Sequence, residues 1–186
     1  MQIFRLLVIG VFSGIMIEWY QIAKNSLRDR LFLYLITALS CIALIKISLM
    51  QDARSILSWY GTIIIVYDTM AFLGGKMIGG KKLAISISPA KTWSGLASGI
   101  ICCIIASYTI SEMDNILKSC MKGYNLFVLT LIIAISAQIG DLFESYYKRK
   151  YNLKDSGDII PGHGGLLDRF DSLLFSAPML YILLSF

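Results

Sequence analysis

Charge is what this sequence has least of. Charged residues make up 16% of its 186 positions, against about 25% in an average soluble domain. With 56% hydrophobic residues, the chain has too little polar surface to cover a globule of its size. That disfavours a soluble domain and points to one multi-pass membrane unit. The net charge of +5 does not indicate nucleic acid, because the cations sit in short loops between apolar runs and form no basic face interleaved with aromatics. The four cysteines (Cys41, Cys102, Cys103, Cys120) show no CxxC or Cys/His spacing, so free thiols in packed helices are expected rather than a metal centre. No GxxxxGK[ST] motif occurs, which excludes a P-loop. The first apolar run has no clear A-x-A-like cleavage site and reads as a retained span rather than a signal peptide. Long internal repeats, low-complexity tracts and a soluble domain are absent as well.

What is present is a series of apolar runs. Six are long enough to cross a bilayer: 3–23, 31–50, 56–75, 93–111, 124–143 and 166–186. The expected fold is therefore all-α, a polytopic membrane helical bundle forming a single integral-membrane domain over 1–186. Lys24, Arg28 and Arg30, then Lys76, Lys81, Lys82 and Lys91, then Lys148, Arg149, Lys150 and Lys154 fall in loops on one side. Arg5, Arg54, Lys118 and Lys122 fall on the other. By the positive-inside rule the first set is cytoplasmic and both termini are outside. Small-xxx-small pairs at Gly10/Gly14 and Gly95/Gly99 permit close helix approach. Packing within the chain is the favoured reading, and a homodimer seam is the alternative.

Ionisable groups inside spans are functional candidates by default. Asp68, Asp141, Asp168 and Asp171 all fall at or just below the cytoplasmic boundary once the Lys/Arg bias has set the orientation. On a helix, Asp141, Ser145 and Lys148 share a face, with Glu144 on its flank. A carboxylate, a hydroxyl and a cation so stacked suit a phosphate bound through Mg²⁺, and Arg149 adds a guanidinium fork. An ordinary juxtamembrane basic cluster reading anionic lipid is the competing account. In "PGHGG", Gly162, Gly164 and Gly165 allow consecutive N–H groups to cradle an anion, or simply form a loop. His163, the one histidine, reads as a hydrogen-bonding residue rather than a base. "GGKMIGGKKLAISISPAKTW" reads as a basic, glycine-flexible segment on the same face.

These residues resemble a known family. "SYYKRKYNLKDSGDIIPGHGGLLDRFD", Ser145 to Asp171, is similar to the signature of phosphatidate cytidylyltransferases (CDP-diacylglycerol synthases), S-x-x-K-R, K-D-x-G and P-x-H-G-G-x-x-D-R-x-D. "GDLFES", "DTMAF" and "SPAKTW" match too, so the family-like core covers about residues 60–186. Tyr147, Ala90, Ser94 and Lys76 depart from the usual pattern, and one or more N-terminal spans of the family are expected to be missing. The resemblance implies transfer of a cytidylyl group from CTP to phosphatidic acid, giving CDP-diacylglycerol and pyrophosphate. It implies Mg²⁺, with a second cation as an option, and membrane lipid as a partner. The setting would be a bacterial-type cytoplasmic (inner) membrane, with the active site facing the cytoplasm. By position, it makes Asp141 and Asp168 the metal pair, supported by Asp171, and Ser145, Lys148, Arg149 and Arg169 phosphate contacts. Lys91, Thr92, Lys154, Asp155, His163, Gly164, Gly165 and Asp68 would meet substrate. Two alternatives are weighed against it. A related CTP-dependent lipid transferase or kinase, acting on a polyprenol or an archaeal-type lipid, is disfavoured by the full signature. A cation transporter is disfavoured because transport sites usually lie near the midplane.

Overall fold

The computed structural model describes residues 1–157 and 164–185. Five long helices carry the bundle: α1 (Gln2–Ile22), α2 (Leu27–Ile47), α3 (Ala53–Ile78), α4 (Trp93–Met113) and α6 (Leu126–Lys150). A short α5 (Asn115–Cys120) links the last two, and α7 (Leu167–Phe170) and α8 (Leu173–Ser185) follow α6. At 21 to 26 residues, each of the five is long and apolar enough to cross a membrane. Side chains such as Ile3, Leu6, Ile65 and Met77 stay exposed on their outer faces, as lipid contact requires. The chain is a multi-pass membrane protein.

Polar residues start the helices where the sequence places them. Ser26 accepts the Asp29 N–H at 3.3 Å, Thr92 that of Gly95 at 3.1 Å, and Asn125 that of Val128 at 3.3 Å. The segment read as a flexible basic loop is partly ordered. Lys82–Ala84 (β1) and Ser88–Thr92 (β2) form an antiparallel hairpin, the only sheet among the described residues.

The last expected span, 166–186, is divided. The chain turns between α7 and α8 at Asp171 and Ser172, leaving α8 with 13 residues. Pro178 lies inside α8 and has no N–H for the Leu174 carbonyl one turn back. Ser40 of α2 supplies the missing donor, its Oγ meeting Leu174 O at 2.5 Å. In lipid, a freed carbonyl needs such a partner.

Packing is close where glycine allows it. A methyl at Gly95 would overlap the Ala71 carbonyl oxygen, and one at Gly99 would press on the Tyr67 ring at 2.9 Å, so α4 lies directly against α3. Gly14 faces Leu166, whereas Gly10 has open space around it. Three of the four small residues therefore serve packing within the chain. Polar pairs tie the interior: Trp59 Nε1 and Thr130 Oγ1 both donate to Ser107 Oγ, at 3.0 and 2.8 Å. A second apolar cluster, with Ile15, Trp19, Leu33, Tyr147, Leu167 and Leu174, packs α1 and α2 against α6 to α8. Along the chain, its Tyr147 and Leu167 adjoin Lys148 and Asp168.

Candidate active site

A cavity of about 710 Å³ opens at one end of the bundle. Its wall comes from the C-terminal half of α3, the β2 strand with the start of α4, the C-terminal half of α6, and the α7–α8 corner. Asp68, Asp141, Asp168 and Asp171, the four aspartates expected at one depth, all line it. Lys76, Lys82, Lys91, Lys148 and Arg169 line it too, so a space bounded by membrane helices is walled by charge of both signs.

Two groups of carboxylates lie within it. In the first, Asp141, Glu144 and Asp171 each offer an oxygen, and these atoms lie within 4.8 Å of one another. Glu144 is 1% exposed, and its Oε1 has no hydrogen-bond partner. Lys91 forms an ion pair with Asp141, and Asp171 Oδ1 accepts the Ser172 N–H at 2.7 Å. Asp68 stands beside this group, accepting from Ser172 Oγ at 3.3 Å. Three carboxylates this close, with a Glu144 oxygen that is buried and has no hydrogen-bond partner, fit a cation such as Mg²⁺.

The second group is fully engaged. Asp168 accepts from Lys148 Nζ at 2.7 Å, Gly165 N at 2.9 Å, and Ser156 N and Oγ at 3.0 Å each. Lys148 also pairs with Glu144 Oε2 at 2.8 Å. This ammonium therefore bridges α6 to α7 and connects the two carboxylate groups. Of the expected metal set, Asp141 and Asp171 stand in the first group and Asp168 in the second. Glu144, read from sequence only as a flank, joins the acidic triplet in place of Asp168.

Other expected residues are dispersed. Thr92 is buried at the cavity edge as the cap of α4, and Arg169 lines the wall. Ser145 is buried and does not line the cavity. Arg149 is exposed and points to backbone, donating to Ile87 O at 3.3 Å and Leu153 O at 3.0 Å, where it braces the hairpin against the end of α6. Lys154 and Asp155 are exposed on the following loop, away from the lining. His163 lies outside the described residues. Gly164 has φ +83°, as only glycine adopts readily. Of the glycines expected to cradle an anion, Gly162 lies outside the described residues, and the N–H groups from Gly165 onward meet the protein's own carboxylates. Gly165 N–H reaches Asp168, and those of Leu166 and Leu167 reach Glu18 at 2.8 and 2.7 Å. Sequence reading missed Glu18, although a glutamate in the first apolar run carried the same signal as the four aspartates.

Fold and site together define a polytopic membrane protein whose charged cavity at one end of the bundle suits polyanions. A profile described as the cytidylyltransferase family matches residues 1–186, and the chain belongs to that family. It is similar to the phosphatidate cytidylyltransferase of Rickettsia conorii, 40% identical over 184 residues that cover 97% of this chain and 80% of that protein. It is also similar to the phosphatidate cytidylyltransferase of Bacillus subtilis, 46% identical over 118 residues, 63% of this chain and 43% of that one. For the Staphylococcus aureus (strain COL) protein of the same name the identity is 47% over 117 residues, 63% and 44% of the two chains.

Proposed function

We propose that the protein is a nucleotidyltransferase that makes CDP-diacylglycerol and pyrophosphate from CTP and phosphatidic acid, in phospholipid synthesis. The observation that carries this reading is the cavity itself. Five cationic side chains and four aspartates surround one space at the end of a membrane bundle, where a soluble triphosphate and a lipid headgroup can meet. The reaction forms a bond from a lipid phosphate oxygen to the α-phosphorus of CTP. It breaks the α–β bridge, and pyrophosphate leaves with the electron pair. A phosphate monoester has a second pKa near about 6, so the nucleophile is already largely anionic and needs no general base. The site's task is to align two polyanions and balance their charge.

The chain's own residues suit that task. Lys91 and Lys148 sit 17% and 12% exposed within the cavity, held by carboxylates until phosphate oxygens offer another partner. Arg169 on the wall adds a planar donor. Asp141, Glu144 and Asp171 would hold the divalent cation, with Asp68 in reserve for a second. When bound there, that ion supplies charge neutralisation at phosphate oxygens. Asp168 fixes Lys148. Thr92 and the hairpin residues Lys82 and Lys91 close the cavity on the nucleotide side. Arg149 acts by bracing that hairpin. The excess of loop cations on this side supports a site that faces the cytoplasm, in a bacterial-type inner membrane.

The test is direct. The protein, purified in detergent, is given CTP, Mg²⁺ and phosphatidic acid, and CDP-diacylglycerol and pyrophosphate are followed. Stoichiometric appearance of both supports the reading, and no product with either Mg²⁺ or Mn²⁺ overturns it.

A further inference from the structure

Glu18 is a carboxylate with no part in the proposed chemistry. It sits three-quarters of the way along α1 and is 0% exposed. Its oxygens accept the N–H groups of Leu166 at 2.8 Å and Leu167 at 2.7 Å, and the hydroxyl of Ser156 at 3.1 Å. These donors belong to two stretches of chain that also hold Asp168. The Ser156 hydroxyl lies 3.0 Å from Asp168 Oδ2, and Ser156 N and Gly165 N donate to that same oxygen. Glu18 and Asp168 thus grip the same two stretches from opposite sides, and one hydroxyl faces both acids.

Burying a carboxylate is costly unless its lone pairs are filled. Here the donors are main-chain groups, so the cost is offset only while residues 165–167 keep their present course. The surroundings leave no slack. A methyl at Gly165 would overlap Ser156 Oγ and approach both Glu18 oxygens within 2.8 Å. Below, Ile15 and Trp19 of α1 pack in one cluster with Leu167 and Tyr147. We propose that Glu18 is a positioning residue. Its carboxylate, accepting from Leu166, Leu167 and Ser156, fixes the entry to α7 so that Asp168 meets Lys148 and holds that ammonium in the cavity. Glu18 touches no substrate and acts through Asp168 and Lys148. The catalytic half of this inference rests on the cytidylyl-transfer reading, whereas the anchoring half does not.

The experiment replaces Glu18 by Gln in the full-length protein. Glutamine keeps the volume but turns one acceptor into an NH₂ that faces donors. Hydrogen–deuterium exchange should rise in peptides covering 164–172 and stay unchanged in α3 and α4. The kcat should fall about 100-fold, the scale of a small misplacement of reacting groups. The Mg²⁺ concentration for half-maximal rate should shift far less than in Asp141→Asn, because the Asp141, Glu144 and Asp171 side chains are all retained. Gly165→Ala, which damages the same contact from the other side, should reproduce all three results. Unchanged exchange at 164–172 in Glu18→Gln overturns the anchor. Loosening throughout α3 and α4 in both variants would instead assign Glu18 to bundle stability, and a Mg²⁺ requirement raised as far as in Asp141→Asn would assign it to the metal group. Were the unmodified protein to make no CDP-diacylglycerol, the reaction reading would fall while the exchange result still judged the anchor.

Discussion

Two acidic regions meet at Lys148, and they are built on opposite principles. Around Glu18 and Asp168, carboxylate oxygens are filled by main-chain N–H groups, a serine hydroxyl and an ammonium. Around Asp141, Glu144 and Asp171, three carboxylates crowd together and a buried oxygen has no partner. Each buried acid must be compensated. Where the chain supplies the compensation, the acid is scaffolding. Where one buried oxygen is left open among three acids, the arrangement has room for a cation. On the proposed reading, the contrast separates residues that would touch substrate or ion from those that hold them, which a shared signature motif does not.

Removing the ion should have the largest effect. Chelation of divalent cations should abolish turnover, and added Mg²⁺ should restore it. Asp141→Asn and Asp171→Asn should each lower kcat by at least about 10³, consistent with loss of a group that organises charge at phosphate. Both should also raise the Mg²⁺ requirement. If either variant worked at the normal Mg²⁺ concentration, the unfilled group would not be a metal site. Asp168→Asn should be nearly as damaging, about 10² or more in kcat, but through Lys148, so its Mg²⁺ requirement should stay close to normal. It should also lower the thermal midpoint, since it removes one partner of a largely buried ion pair, a loss on the order of 3 kcal/mol. A raised Mg²⁺ requirement in Asp168→Asn would restore it to the metal set and erase the distinction between the two regions.

Much of this architecture was legible before any coordinates. Apolar run length sets the five long helices, because the bilayer fixes how many residues a span needs. The loop cations also put Asp68, Asp141, Asp168 and Asp171 at one depth, and all four line one cavity. What stayed hidden depends on direction rather than depth. Spacing along α6 puts Asp141, Glu144, Ser145 and Lys148 on neighbouring parts of one face. Which of them enters the cavity is decided by the elements packed opposite. Ser145 is buried away from the lining, and Glu144 points inward beside Lys148. The glycine turn invited an anion, and the anions it holds come from α1 and α7, a pairing 148 residues apart in the case of Leu166 and Glu18. No local pattern announces such a contact. The break in the last span falls at Asp171 and Ser172, where the charged stretch meets the apolar run from Leu173 onward, and hydropathy does not fix where a helix is interrupted.

Gly140 sharpens the comparison in a smaller way. It sits one residue before Asp141, and a methyl there would overlap the carbonyl oxygen of Asp171. This close approach brings α6 and the α7–α8 corner near enough for their carboxylates to share an ion. Gly140→Ala should separate Asp141 from Asp171, raising the Mg²⁺ requirement and lowering kcat/KM about tenfold, with Asp168 and Lys148 still paired. Equal loss of exchange protection at 164–172 would show that the two regions move as one body.

The smallest effect is expected in the membrane interior, at Ser40. Its hydroxyl donates to the Leu174 carbonyl that Pro178 leaves open, and also to Ile36 O at 2.9 Å. Ser40→Ala removes a donor from a buried carbonyl, a loss of about 1 kcal/mol, and should appear as a slightly lower thermal midpoint with kcat and Mg²⁺ requirement unchanged. Restoring the N–H by Pro178→Ala in the Ser40→Ala background should recover most of that loss, because the helix then supplies its own donor. Recovery would show that the serine compensates for the proline. It would also place α8 with the scaffold, where a carbonyl freed by proline is answered from a neighbouring helix, in contrast to the buried Glu144 oxygen that the chain leaves open.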